Sequence, residues 1–217
     1  MIIKISKKIV VVFDLDDTLY SELDYLKSGY RFIAELLDRK KSKKLYATML
    51  SLYRNKKNVF DFLSDRYNIT MEELIYNYRN HDPKIKPRDG CIELLKAIKE
   101  KGGFIAVITD GRIKTQNSKI ISLKIKKYID YIVISEEIKT EKPNSKAFQM
   151  VENKIEGTSF YYIGDNVKKD FIAPNSLGWK TIGLIDDGKN IHCNFHNYQN
   201  NNMPNDLIYD LKEIVII

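Results

Sequence analysis

Short apolar runs alternate along the chain with stretches whose apolar residues recur at helical spacing. The apolar runs predict strands at Ile9–Phe13, Phe104–Thr109, Tyr131–Ser135, Phe160–Ile163 and Thr181–Leu184, with a weaker one near Leu207–Tyr209. The patterns between them predict helices at Cys91–Glu100, Thr115–Leu123, Ser145–Val151 and Lys168–Leu177. Strands separated by single helices are typical of parallel β–α–β units. The chain is therefore predicted to be an α/β protein with a doubly wound parallel sheet.

The interval between the first two of these strands is too long for this pattern. Asp14 and Thr109, at the ends of the two strands, lie 95 positions apart, whereas a β–α–β unit takes ~30 residues or slightly more. The excess lies between Thr18 and about Pro87, where helix formers, tyrosines and periodic apolar residues are frequent. We expect an inserted helical domain in this interval.

The predicted domain boundaries follow from this insertion. We expect a core formed by residues 1–18 and 88–217 and a helical cap formed by residues 19–87. The cap begins directly after the carboxyl end of the first strand, and open α/β sheets bind their ligands at that edge. An insertion at this position can therefore cover the site.

The net charge of +7, from 36 basic and 29 acidic residues, first suggests an anionic partner. The basic residues are scattered in short runs, of which Arg39–Lys44 is the densest, and no nucleic-acid-binding motif accompanies them. We therefore interpret the runs as solvated helix ends or as a positive field that attracts anionic substrates. Nucleic acid is not the partner that we expect.

Cysteine usage and hydropathy bear on the compartment. Cys91 and Cys193 lie far apart and lack a metal-binding spacing, which favours a reducing environment. No apolar run approaches the ~20 residues of a membrane span, and Met1–Lys8 lacks a signal-peptide pattern. We expect a cytoplasmic protein without a membrane partner, and the sequence leaves the oligomeric state open.

An asparagine-rich segment, His192–Asn205, is expected to form a loop. Its histidines His192 and His196 are four positions apart, which is the spacing of a metal-binding pair on a helix. The asparagine-rich surroundings, without a carboxylate partner nearby, favour surface histidines instead.

The first predicted strand ends in two closely spaced carboxylates, Asp14 and Asp16. Alternation along a strand would place both on the same side and would turn Asp17 away. Two carboxylates this close repel each other unless a cation or a shared proton lies between them. The pair is more easily explained by chemistry than by stability.

Three further polar segments lie near the ends of later strands or the start of a helix. They are Thr109-Asp110-Gly111, Lys142-Pro143, and Gly164-Asp165 followed by Asp170. Parallel strands place their carboxyl ends on one edge of the sheet. We therefore expect these segments to converge with the Asp14–Asp16 pair.

The four segments, taken in this order, resemble the four motifs of the haloacid dehalogenase superfamily of phosphotransferases. The resemblance spans the chain from Asp14 to Asp170. It implies a Rossmann-like core with an α-helical cap inserted after the first motif. It also implies an enzyme that hydrolyses a small phosphomonoester, with Mg²⁺ as cofactor and a small phosphorylated metabolite as substrate.

The resemblance implies chemical roles for these residues. Asp14 would be the nucleophile that forms an aspartyl-phosphate. Asp16 would be the general acid and base that protonates the leaving alkoxide and then activates water. Phosphoryl oxygens would be held by Thr109, by the backbone N–H groups of Asp110 and Gly111, and by the cation of Lys142.

A metal site is implied by the same resemblance. Mg²⁺ would be bound by Asp14, by Asp165 and by the backbone carbonyl of Asp16. Thr18 and Asp170 would lie behind these ligands and support them.

The carboxyl group of Asp16 favours phosphate transfer over dehalogenation, because an ester oxygen needs a proton to leave and a halide does not. Three alternatives stay open on the sequence alone. They are a phosphomutase on the same scaffold, a non-catalytic phosphate-binding or scaffolding subunit, and a nucleic-acid-binding protein. The motifs do not distinguish sugar phosphates from nucleotides as substrates.

Overall fold

The computed structural model describes residues 1–157, 159–192 and 202–217 and divides the chain into two compact units. One unit comprises Met1–Glu22 with Lys86–Ile217, and the other comprises Leu23–Ile85. The sequence-based boundaries, at residues 18 and 88, lie within a few residues of these. Of the two histidines that were expected at the surface, His192 is exposed, whereas His196 lies outside the described residues.

The core unit is built on a parallel sheet. In chain order the strands are β1 Ile2–Ile3, β2 Ile9–Phe13, β3 Phe104–Thr109, β4 Tyr131–Ile134, β5 Ser159–Gly164, β6 Lys180–Leu184, β7 Asp206–Ile208 and β8 Val215–Ile216. Among the described residues, six of them form one sheet in the order β4-β3-β2-β5-β6-β7, with every neighbouring pair parallel. Strands β1 and β8 form a separate parallel pair, which the sequence analysis missed because two residues carry no periodicity.

Helices occur in both units. In chain order they are α1 Glu22–Leu37, α2 Ser42–Arg54, α3 Val59–Tyr67, α4 Met71–Asn80, α5 Cys91–Glu100, α6 Ile113–Ser122, α7 Ser135–Ile138, α8 Lys146–Lys154 and α9 Ile172–Ser176, with 3-10 turns at Lys126–Tyr128 and Leu211–Glu213. The prediction of a doubly wound α/β core with an inserted helical unit is confirmed. None of the described helices is long and apolar enough to cross a membrane.

Strand β2 lies at the centre of the sheet because it is apolar on both faces. Val10, Val11, Val12 and Phe13 have no exposed surface, and the β-branched valines and the aromatic Phe13 suit a strand that is covered by helices on each side. Strand β2 pairs with β3 on one side and with β5 on the other. The strand order therefore changes direction at β2, which is where open α/β sheets form their ligand-binding crevice.

One predicted helix is wrong in its first residues. The sequence pattern predicts a helix over Lys168–Leu177, but the helix begins at Ile172. Before it, the chain turns around the carboxylate of Asp170, which accepts hydrogen bonds from the backbone N–H groups of Asp165 at 3.2 Å and Asn166 at 2.9 Å. These side-chain contacts to the backbone compete with helix formation.

The inserted unit is stabilised by capped helices around a small apolar core. Asn58 accepts hydrogen bonds from the N–H groups of Phe60 and Asp61 at the start of α3, and Thr70 accepts one from Glu73 at the start of α4. Such caps satisfy N–H groups that the helix leaves unpaired. The fully buried apolar residues of this unit include Ile33, Met49, Leu63 and Leu74.

Phe148 of α8 provides a test of the packing on one face of the sheet. It is fully buried, with its ring 5.1 Å from that of Tyr162 and 5.5 Å from that of Trp179, measured between centroids. We expect Phe148→Ala to lower the free energy of unfolding by about 3–5 kcal/mol, because it leaves a cavity. Chemical denaturation measures the loss. Ile121→Ala is the control, since Ile121 is 68% exposed. A loss below about 1 kcal/mol for Phe148→Ala would contradict the packing.

Candidate active site

Asp14 lies at the carboxyl end of the central strand, one residue after β2 ends. Its N–H group donates to the carbonyl of Ile163 at 2.9 Å, so the backbone is still held against β5. Its side chain is almost fully buried. Burial, with smaller contributions from Asp170 and Asp16, raises the pKa of Asp14 to about 7 despite the nearby Lys142.

Lys142 is buried between two carboxylates. Its Nζ atom lies 2.6 Å from Asp14 Oδ1 and 2.7 Å from Asp170 Oδ1, and it also donates to the hydroxyl of Tyr162 at 3.0 Å. Burial alone would lower the pKa of Lys142, but Asp14 and Asp170 hold it well above its ordinary value. A lysine from the loop before α8 is thus fixed as a cation beside the tip of β2.

Asp165 follows β5 and faces the same point. Its carboxylate accepts hydrogen bonds from Thr18 Oγ1 at 3.3 Å and from Asn190 Nδ2 at 2.9 Å. Burial, followed by the charges of Asp170 and Asp14, raises the pKa of Asp165 well above its ordinary value. The sequence analysis gave no indication of Asn190, which comes from the loop after β6.

The carboxylates of Asp14, Asp165 and Asp170 lie together, with one oxygen of each within 4.8 Å of the others. Lys142 contacts two of the three, so the group has an excess of buried carboxyl groups over cations. Hard oxygen ligands with such an excess suit a divalent cation. Asp170, expected behind the ligands, lies within this carboxylate group as well as against Lys142.

Gly164 makes room for this arrangement. A Cβ atom at Gly164 would lie 2.6 Å from Asp170 Oδ2, which is closer than real Cβ contacts allow. A glycine at the last position of β5 therefore permits the Asp170 carboxylate to close over the turn that carries Asp165.

Asp16 is held by three donors, none of which the sequence analysis identified. Lys119 Nζ lies 2.6 Å from Asp16 Oδ1, Gln116 Nε2 lies 2.7 Å from Oδ2, and the hydroxyl of Tyr20 also donates to Oδ1. Burial would raise the pKa of Asp16, but the charge and the hydrogen bond of Lys119 lower it below the ordinary value. Gln116 and Lys119 are three residues apart on α6 and share one helical face, which is a signal that the sequence contained.

Asp17 does not turn away from the site as strand alternation predicted. The strand ends at Phe13, so alternation no longer applies, and Asp17 has a positive φ of 55°. Its carboxylate accepts hydrogen bonds from the N–H groups of Glu22 at 2.7 Å and Ile191 at 2.9 Å. It lines a small acidic pocket together with Asp14, Asp16, Glu22, Asp110, Asp165, Asn166, Lys169 and His192.

The segment Thr109-Asp110-Gly111, at the end of β3, lies at the same edge of the sheet. Thr109 is buried, and its Oγ1 accepts a hydrogen bond from Gln116. Asp110 accepts hydrogen bonds from the backbone N–H of Lys142 at 3.2 Å and from Lys169 Nζ at 2.8 Å. The N–H of Gly111 donates to Ser135 Oγ at 2.9 Å, so it is already engaged and is not the free donor that the resemblance implied.

All of the predicted site residues therefore meet at one edge of the sheet. A larger cavity of about 790 Å³ lies between α5 and the C-terminal segment, and it contains none of the residues of the four segments. Cavity volume alone would therefore place the candidate site away from the four segments. Convergent charged groups are the better indicator of a reactive site.

Glu22, at the rim of the acidic pocket, gives a pH-dependent test. Burial and the charge of Asp16 raise the pKa of Glu22 from 4.5 to about 8. A carboxyl with a raised pKa destabilises the folded state as it ionises, so this penalty grows as the pH rises from about 4.5 to about 8. We expect Glu22→Gln to increase the free energy of unfolding, relative to the parent protein, by an amount that grows with pH.

The gain should reach about 1–2 kcal/mol near pH 9 in metal-free buffer, since water partly screens this side chain, which is only partly buried. Urea denaturation at several pH values measures it. Glu100→Gln is the control, because Glu100 is an exposed helix residue and its replacement should give no such pH trend. A Glu22→Gln effect that does not change with pH would contradict the charge clustering described for this pocket.

Comparison with known proteins agrees with this geometry. The profile of a family described as haloacid dehalogenase-like hydrolase matches residues 11–184. A glyceraldehyde 3-phosphate phosphatase from Methanopyrus kandleri is 28% identical over 192 residues, covering 80% of this chain and 82% of that protein. The pyrimidine 5'-nucleotidase YjjG from Escherichia coli is 27% identical over 129 residues, covering 58% of this chain and 57% of that protein.

Solved structures share the fold at low identity. A haloacid dehalogenase-family (HAD) phosphatase from Thermococcus onnurineus superposes with a TM-score of 0.59 at 20% identity, covering 94% of each chain. A dehalogenase crystallised with an intermediate superposes with a TM-score of 0.62 at 13% identity, covering 96% of each chain. At these identities the structures show the fold alone. The family match, which spans all four sequence segments, confirms the predicted resemblance, and the chain belongs to the haloacid dehalogenase-like hydrolase family.

Proposed function

We propose that this protein is a Mg²⁺-dependent phosphatase that hydrolyses a small phosphomonoester through an aspartyl-phosphate on Asp14. The observation that carries the proposal is the position of Lys142 Nζ, 2.6 Å from Asp14 Oδ1 at the tip of the central strand. A carboxylate is a weak nucleophile and repels a phosphate dianion. A buried ammonium group that is hydrogen-bonded to it offsets part of that repulsion and fixes the direction of attack.

The first chemical step forms a bond between an oxygen of Asp14 and phosphorus while the ester P–O bond breaks. The leaving alkoxide takes a proton from Asp16, which lies two residues away at the same edge. In the second step Asp16 takes a proton from water as the water oxygen attacks phosphorus, and inorganic phosphate and free Asp14 result. Thr109 and Lys142 hold the phosphoryl oxygens in both steps.

The residues present fit a magnesium ion. Asp14, Asp165 and the backbone carbonyl of Asp16 would hold it, beside Asp170, and Thr18 and Asn190 fix the Asp165 carboxylate by hydrogen bonds. When bound, Mg²⁺ neutralises charge between the nucleophile and the phosphoryl group. The cluster of three buried carboxyl groups, with one oxygen of each within 4.8 Å of the others, supports this assignment.

The substrate class rests on the relatives. Glyceraldehyde 3-phosphate phosphatases recur among the matched proteins from archaea, and a nucleotidase also matches. We propose a small phosphorylated metabolite, with short sugar or triose phosphates as the first compounds to assay. We propose further that the inserted helical unit is the cap, because it enters the chain directly after the Asp14–Tyr20 segment.

The test is a phosphate-release assay over a panel of phosphomonoesters, with Mg²⁺ and with EDTA. We expect release that requires Mg²⁺ and that Asp14→Asn lowers by about 10³-fold or more, because the amide is not a nucleophile. Asp89→Asn is the control, since Asp89 is an exposed carboxylate paired with Lys212 away from the site. Unchanged turnover in Asp14→Asn would refute the nucleophile. Transfer to a second hydroxyl of the sugar without free phosphate would identify a mutase instead.

A further inference from the structure

The side chains of Gln116 and Lys119 extend from α6 to Asp16, and the two residues are almost completely buried, at 1% and 4% exposure. They contact different oxygens of the same carboxylate. Lys119 Nζ lies 2.6 Å from Oδ1, and Gln116 Nε2 lies 2.7 Å from Oδ2. Two donors on two oxygens fix both the position and the plane of the Asp16 carboxylate.

Gln116 also links Asp16 to the segment after β3. Its Nε2 atom lies 2.5 Å from Thr109 Oγ1 as well as 2.7 Å from Asp16 Oδ2. A side-chain amide has two hydrogens, so one can serve each acceptor. Because Thr109 Oγ1 then accepts, its own hydroxyl hydrogen is left to donate elsewhere, which suits a residue that holds a phosphoryl oxygen.

Gly111 keeps this position open for the glutamine. A Cβ atom at Gly111 would lie 3.2 to 3.3 Å from three atoms of the Gln116 side chain, and Gly111 has a φ of 136°. This close approach and this backbone conformation both favour glycine. The third residue of the segment Thr109-Asp110-Gly111 therefore supports Gln116, in addition to its own hydrogen bond to Ser135.

A purely structural explanation for Lys119 is weak. A buried ion pair contributes little net stability, because the loss of hydration offsets much of the attraction. The pair also does not stand alone, since the hydroxyl of Tyr20 donates to the same Oδ1 atom and Lys119 Nζ lies 5.9 Å from the centre of the Tyr20 ring. Three polar groups gathered on one reactive carboxylate point to control of its geometry.

We propose that Gln116 and Lys119 are positioning residues that hold the Asp16 carboxylate where it can protonate the leaving oxygen. This inference rests on the proposed phosphatase function. A carboxylate that delivers a proton in one step and removes one in the next must stay within hydrogen-bonding distance of both oxygens. The positioning residues need not touch the substrate themselves.

The test compares two leaving groups. p-Nitrophenolate leaves without protonation, whereas the alkoxide of an alkyl phosphate requires a proton. Formation of the aspartyl-phosphate is followed as the pre-steady-state burst of p-nitrophenol and, for the alkyl ester, as single-turnover release of the alcohol. The variants are Gln116→Leu and Lys119→Met, with Asp16→Asn as the reference and Lys114→Met, an exposed lysine on the same helix, as the control.

We expect both variants to slow the release of alcohol from the alkyl ester by about 10²-fold. The rate of the p-nitrophenol burst should change by less than about threefold, and KM should change little. Circular dichroism establishes that each variant is folded. If Lys119→Met fails to fold, Gln116→Leu still tests the proposal, because it retains the ion pair. An equal loss on both substrates, or no loss on either, would overturn the positioning role.

The outcome also separates this inference from the function on which it rests. An inactive parent protein, with no Mg²⁺-dependent release from any ester, would refute the phosphatase proposal itself. The parent protein could instead be active, with Asp16→Asn slowing the alkyl ester more than p-nitrophenyl phosphate. If the Gln116 and Lys119 variants then showed no such difference between the two substrates, only the role of Gln116 and Lys119 would be refuted.

Discussion

The site depends on one buried cation, Lys142, which lies within 2.7 Å of two carboxylates at the centre of the sheet. Asp14 and Asp170 are as fully buried as the core around them, and burying either charge alone would be strongly unfavourable. The lysine makes both tolerable, and Asp165 adds a third buried carboxyl group beside them. The three buried carboxyl groups repel one another when they are ionised, and a divalent cation bound among them would reduce that repulsion.

A parallel sheet is what brings these groups together. Asp14, Thr109 and Asp165 lie at the carboxyl ends of three adjacent strands, while Lys142 comes from a loop and Asp170 from a turn. Asp16, the other carboxylate of this segment, likewise pairs with a buried lysine, Lys119. The pKa values move in opposite directions, raised for Asp14 and lowered for Asp16. Two carboxylates two residues apart are thus placed in different electrostatic environments by burial and by their neighbouring lysines.

The sequence predicted most of the fold because the strands are short, apolar and bounded by polar segments, and Cys91–Glu100 was predicted at its observed limits. It predicted that Asp14, Lys142 and Asp165 would converge, because each lies in an ordered motif near the edge of the sheet. It could not predict Gln116, Lys119 or Asn190, since their role depends on which face of α6, and which loop after β6, approaches the site. It was wrong about Asp17 because the alternation argument was extended past Phe13, where both the predicted and the observed strand end.

The most direct test of the account measures the charge balance around Lys142. The free energy of unfolding is determined in metal-free buffer for the parent protein, Lys142→Met, Asp170→Asn and the double variant. The account predicts that Lys142→Met costs about 3–5 kcal/mol, because it leaves two buried carboxylates without their cation. It also predicts that Asp170→Asn recovers at least about 1 kcal/mol in that background. A Lys142→Met cost below about 1 kcal/mol, with no recovery in the double variant, would contradict the account.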